Sequence, residues 1–143
     1  MIEIKPYSRG VYYYETDRMG IVHHSNYIRW FEEARDDFMR QIGMPYSKLE
    51  ERGIIIPVLS VSAQYRKHLT YEDKFTIQLH CRKFTGIKSF FEYEVFDEEG
   101  NLCVTGESSH CMLNSELKPF RFKKEFPDVY ERFAEAAEEG PKA

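Results

Sequence analysis

The chain has 143 residues and a mass of 17.1 kDa, the size of one domain with enough length for a true hydrophobic core. A net charge of −4 argues against general affinity for nucleic acid, which draws on a basic surplus. No apolar run approaches a membrane span, residues 1–10 lack the apolar stretch of a signal peptide, and Cys81, Cys103 and Cys111 read as free thiols of a reducing cytoplasm.

In chain order, Tyr7–Tyr14 is expected as a first strand, because Val11 and the run of three tyrosines favour extended backbone. Asp17 follows in a turn marked by Gly20, and His24 stands at the start of the next element. From Ser25 to Ile42 the period becomes helical: Tyr27, Phe31, Ala34 and Phe38 recur at three- and four-residue steps. Ile28, Trp30, Met39 and Ile42 widen that stripe enough to predict a helix covered on more than one side. Ser25 or Asn26 can cap it, Gly43 and Pro45 end it, and Arg29–Glu33 and Asp36–Arg40 are spaced as ion pairs on its wet face.

Period-two alternation then predicts strands over 59–66, with Leu59, Val61, Ala63 and Tyr65 on one face, and over 75–82, with Phe75, Ile77, Leu79 and Cys81 on one face. Strands over 89–97 and about 102–113 follow, separated by the turn 97–101. Pro127 opens a C-terminal helix of about 127–139 with Val129, Tyr130, Phe133 and Ala137 as its stripe, closed by Gly140. The expected fold class is α+β, one long helix against one antiparallel sheet in a single domain of residues 1–143. Such a sheet leaves edge strands unpaired, and pairing them between subunits predicts at least a dimer.

The chemistry concentrates between Asp17 and His24. A carboxylate, an imidazole and the unpaired N–H groups of a helix start would lie together there, suited to polarising a carbonyl and aiming a nucleophile at it. Taken alone, Asp17 also reads as a turn residue bonded to backbone near Gly20. His24 reads either as a proton acceptor of near-neutral pKa or as a residue that supplies only its backbone N–H. His80-Cys81 and His110-Cys111 do not make a metal site, since neighbours on a strand face opposite sides and no ligand spacing is present. Arg66, Lys67 and His68 at a strand end, and Lys83 and Lys88 around Gly86, could meet phosphates at a channel mouth or form a solvated rim.

The segments Val11-Tyr12-Tyr13-Tyr14-Glu15-Thr16-Asp17, Gly20-Ile21-Val22, His24-Ser25-Asn26-Tyr27 and Trp30-Phe31-Glu32-Glu33-Ala34-Arg35, with Tyr65-Arg66-Lys67 and Tyr71-Glu72-Asp73, carry a family resemblance. The chain resembles the hotdog-fold acyl-CoA thioesterases of the 4-hydroxybenzoyl-CoA thioesterase group, and within it the bacterial enzymes associated with the Tol–Pal system. The resemblance covers about residues 7–113. It implies an antiparallel sheet wrapped around a long central helix, hydrolysis of an acyl thioester to a free acid and CoA, and no cofactor beyond the CoA of the substrate. It also implies a site shared across a homodimer or homotetramer. Asp17 falls on the family's catalytic carboxylate and the His24 N–H on the group that polarises the thioester carbonyl. Val22, Tyr27, Arg66, Lys67 and Lys88 are then expected to bind substrate. Glu15 stands where the family often has a second aspartate, and His68 where a proline is common. A hydratase or dehydratase on the same fold fits this block poorly. A non-catalytic acyl-CoA-binding or scaffold protein is the alternative of a different class.

Overall fold

The computed structural model of the chain describes residues 3–141; the two residues at either end that the single-domain expectation of 1–143 includes lie outside them. In order come β1 (Tyr7–Gly10), a 3-10 turn (Tyr13–Glu15), α1 (Ser25–Gln41), α2 (Tyr46–Glu51), β2 (Ile54–Ile55), β3 (Val58–Tyr65) and β4 (Lys74–Phe84). They are followed by β5 (Lys88–Asp97), β6 (Leu102–Cys111), β7 (Leu113–Asn114), α3 (Phe122–Glu125) and α4 (Pro127–Ala136). The five longer strands form one antiparallel sheet in the order β1-β4-β5-β6-β3, and β2 pairs with β7 beside it.

Alternation along β4 and β5 turns Phe75, Ile77, Leu79 and Cys81, and Phe91, Tyr93 and Val95, toward α1, and all are buried. The helix answers with aromatics at matching intervals. Trp30 stacks on Phe75 with ring centroids 3.9 Å apart, Phe31 on Tyr93 at 4.3 Å, and Phe38 meets both Phe91 and Phe133 of α4. Each such side chain, fully buried, contributes about 1.5–3 kcal/mol of transfer free energy. Gly106 of β6 gives Phe31 its room, because a Cβ there would collide with the ring.

Four expectations are corrected. The first strand stops at Gly10: the Glu15 carboxylate accepts the Tyr12 N–H at 2.8 Å and winds the next residues into the 3-10 turn, overriding the tyrosines' strand preference. Glu33 turns to Arg9 at 2.8 Å instead of to Arg29, whereas the Asp36–Arg40 pair forms at 3.1 Å. The alternation over 59–66 is present, but Leu59, Val61 and Tyr65 are each 41–53% exposed, since β3 is the open edge of the sheet. Helix α4 ends at Ala136, and beyond it the Glu138 and Glu139 N–H groups donate to the Cys81 and Arg82 carbonyls, lashing the C-terminal segment to β4. Helix α1 is covered by the sheet and by α4 but keeps a wet stripe at Arg29, Glu32 and Arg40.

Candidate active site

Asp17 sits at the tip of a short loop that leaves the 3-10 turn and returns to α1. Thr16 bridges Val22, the Asp17 N–H donates to the Ile21 carbonyl, and the Gly20 N–H donates to the Asp17 carbonyl, closing a turn that needs Gly20 at φ 77°. Oδ1 of Asp17 accepts the Met19 N–H at 2.8 Å. The bland reading of Asp17 as a turn residue is therefore correct as geometry, and it uses one carboxylate oxygen only. The returning strand is pinned in turn: the Val22 N–H donates to the Leu69 carbonyl, and Ile21 bridges Thr70.

Helix α1 begins directly after this loop. His24 is its N-cap and Ser25 its first residue, so neither Ser25 nor Asn26 plays the capping part expected of it. The imidazole of His23 takes that part, with Nδ1 accepting the Ser25 N–H at 3.2 Å. The Asn26 and Tyr27 N–H groups donate to the His23 and His24 carbonyls. Among the described residues the His24 N–H meets no acceptor, leaving one helix-start donor unspent. The His24 ring is exposed, stacked on His23 at 4.2 Å and edge-on to Tyr65.

Asp17, Val22, His24, Tyr27, Arg66 and Lys67 line one cleft of about 370 Å3, together with Tyr65 and His68. Burial pushes the Tyr27 phenol up to about 12, so it stays protonated. Lys67 is not free: its Nζ donates to Asp97 at 2.7 Å, which raises the ammonium above its ordinary value. Arg66 is exposed and unengaged by any acid among the described residues. Lys88 is not brought here. It pairs in register with Cys111, at the opposite end of the sheet from Tyr65, roughly 23 Å along the strands at about 3.3 Å per residue.

Asp17 also borders a second, more open hollow of about 730 Å3 beside Tyr13, Tyr14 and Arg29. Among the described residues no three His, Cys, Asp or Glu side chains gather as a metal would require. No helix of the described residues is long and apolar enough to cross a membrane. The three cysteines are free, and burial lifts the Cys81 thiol to about 12, where it is inert as a nucleophile.

Sequence reasoning overlooked Glu15, treated as a departure from the family pattern, and Asn26, treated as a cap. Both are buried at the root of the Asp17 loop. Asn26 carried a signal: a side-chain amide in the first turn of a helix can cross-link the chain entering it.

A carboxylate and an unspent helix-start donor on one cleft suit a reacting carbonyl, the donor where negative charge develops and the carboxylate where a nucleophile must be supplied. Comparison with known proteins agrees with that chemistry. The family model described as the thioesterase-like superfamily matches residues 11–136. YneP of Bacillus subtilis, named as a candidate acyl-CoA thioesterase, is 34% identical over 127 residues, which cover 88% of this chain and 92% of that one. The acyl-CoA thioesterase YbgC of Haemophilus influenzae is 26% identical over 116 residues, 80% of this chain and 85% of that one. The structure of a DHNA-CoA thioesterase from Staphylococcus aureus superposes with a TM-score of 0.86 at 34% identity, covering 91% of this chain and 88% of that one. The antiparallel sheet against α1 is accordingly the hotdog-like thioesterase fold.

Proposed function

We infer that the reaction of this chain is thioester hydrolysis, since the chain belongs to the thioesterase-like superfamily. The substrate is an acyl-CoA, and the products are the free carboxylic acid and CoA. The observation that carries the reading is the meeting of Asp17 and the unspent His24 N–H on one cleft. The His24 N–H polarises the thioester carbonyl and steadies the oxyanion, a contribution of about 2.7–4 kcal/mol for one such donor. Asp17 attacks the carbonyl to give an anhydride, which water then cleaves to the free acid and the regenerated carboxylate, or it acts as general base for water; its Oδ2, free of the turn, is the oxygen that does so. The CoA sulfur leaves as thiolate, which the exposed His24 imidazole is placed to steady and which takes up a proton from solvent. No cofactor enters this scheme.

Val22 and Tyr27 line the acyl thioester's path, and Arg66 and Lys67 face the CoA phosphates. Lys67 must exchange Asp97 for a phosphate to do so. Lys88 joins the site only from a second subunit, and the exposed apolar edge of β3 supports a homodimer or a tetramer built on it. The finer kinship with the 4-hydroxybenzoyl-CoA group and its Tol–Pal-associated members rests on the Val11–Asp17 and His24–Tyr27 segments, and the free thiols suit a reducing cytoplasm.

The alternative is a protein that binds acyl-CoA without hydrolysing it. Free-thiol release across acetyl, medium-chain, palmitoyl and aromatic acyl-CoAs separates the two. Turnover on any member with release of stoichiometric thiol is expected. Tight CoA binding with no turnover on the whole panel would move the function to the binding role.

A further inference from the structure

Glu15, two residues before Asp17, is 3% exposed and makes more polar contacts than any turn residue needs. Its Oε1 accepts Arg9 Nη1 at 2.9 Å and the Tyr12 N–H at 2.8 Å, and its Oε2 accepts Arg9 Nη2 at 2.8 Å and Trp30 Nε1 at 2.7 Å. Arg9 is itself gripped by Glu33 and lies over the Tyr12 ring. Burial alone would raise the Glu15 carboxyl. The Arg9 guanidinium, the Trp30 N–H and the Tyr12 N–H together hold it below the usual carboxylate range.

The side chain is thus an anchor, and what it anchors is its own carbonyl. That carbonyl accepts the His23 N–H at 2.8 Å and the Asn26 Nδ2 at 2.9 Å. Asn26 Nδ2 also reaches the His23 carbonyl at 3.3 Å, so one buried amide ties the root of the Asp17 loop to the first turn of α1. His24, whose N–H is unspent, lies between His23 and Asn26, the two residues held in this way.

We propose that Asn26, working on the anchored Glu15 carbonyl, is a positioning residue that sets the separation of the Asp17 carboxylate from the His24 N–H. The proposal rests on the hydrolytic roles given to those two groups. Asn26 touches neither the substrate nor the reacting atoms. It is the side chain that joins two catalytic groups belonging to different elements, a loop and a helix, and it works beside the backbone bonds from the Asp17 N–H to Ile21 and from the His23 N–H to the Glu15 carbonyl. A displacement of about 1 Å between such groups can cost about 10²-fold in rate.

The test is Asn26→Asp, nearly isosteric and tolerable in fold because an acid is welcome in the first turn of a helix. Ionised, the new side chain cannot donate, and it opposes two carbonyls. The melting temperature should fall, because an ionised carboxylate there is buried against two carbonyls, and well below it the kcat for acyl-CoA should still drop about 10²-fold with KM within about threefold. Flanking carbonyls and burial raise the pKa of the new carboxyl, so its acid form regains a donor. The ratio of variant to wild-type kcat should therefore climb as pH falls from about 8 to about 5. A fall in melting temperature at unchanged kcat, or a ratio flat with pH, would overturn the proposal. Asn26→Ala should lose kcat with no such recovery, which keeps the test open if the aspartate variant folds poorly. Asp17→Asn is assayed alongside. If that variant still turns over, the catalytic role given to Asp17 fails, and the positioning role with it. If it is dead while both Asn26 variants work normally, only the positioning role fails.

Discussion

Single residues in this fold divide into those that hold the cleft and those that hold the core, and both kinds give measurable consequences. Arg35, buried in α1, donates to the Tyr93 hydroxyl at 2.8 Å, which is shared with Ser108, whose hydroxyl meets His110 Nε2 at 2.8 Å. Burial, reinforced by the Arg35 charge, lowers the His110 pKa to about 4. Its folded pKa lies below its ordinary unfolded value, so His110 folds neutral. The stability it secures is whole above about pH 6.5 and drains away as pH falls toward about 4, by about 3 kcal/mol in all. Urea unfolding at several pH values should show that slope in the wild type, and His110→Gln should flatten it. At Gly106 the constraint is steric: Gly106→Ala drives a methyl into Phe31 and should cost about 1–3 kcal/mol, read as a lowered urea midpoint at unchanged m-value.

At the scale of elements, β3 is the strand whose surroundings differ most from expectation. Its alternation is that of a strand with one covered face, yet within one chain Val58, Leu59, Val61 and Tyr65 stay exposed. If a second subunit supplies the cover, Val61→Lys should shift the protein toward monomer in sedimentation velocity and should lower turnover with it. An unchanged sedimentation coefficient would remove β3 from the interface. The long elements were legible because each buries one face: β4 and β5 carry clean period-two patterns, and α1 a period of three to four. The tyrosine-rich segment was not, because Glu15, an acid that reads as exposed, is drawn inward by Arg9 and Trp30 and reshapes the backbone before it. The short α2, β2 and β7 hold too few residues to show any period. Asp17, Val22, His24, Tyr27, Arg66 and Lys67 could be gathered from motif order. Lys88 could not be excluded from their cleft without the register of β5 against β6.

Taken whole, the molecule brings the groups proposed for its chemistry to one end of the sheet, where the Asp17 loop, the start of α1 and the end of β3 line one cleft, beside a core of stacked aromatics. That division of labour is what the thioesterase reading requires: fixed groups around a carbonyl and a cleft open to a large nucleotide-bearing substrate. The most direct measurement is single-substrate thiol release by Asp17→Asn beside the wild type, on the best acyl-CoA of the panel, with melting temperature and CoA binding checked in both. Loss of kcat by about 10²-fold or more, with folding and CoA binding intact, is expected. Turnover by Asp17→Asn near the wild-type rate would take the carboxylate out of the reaction and contradict the mechanism built on it.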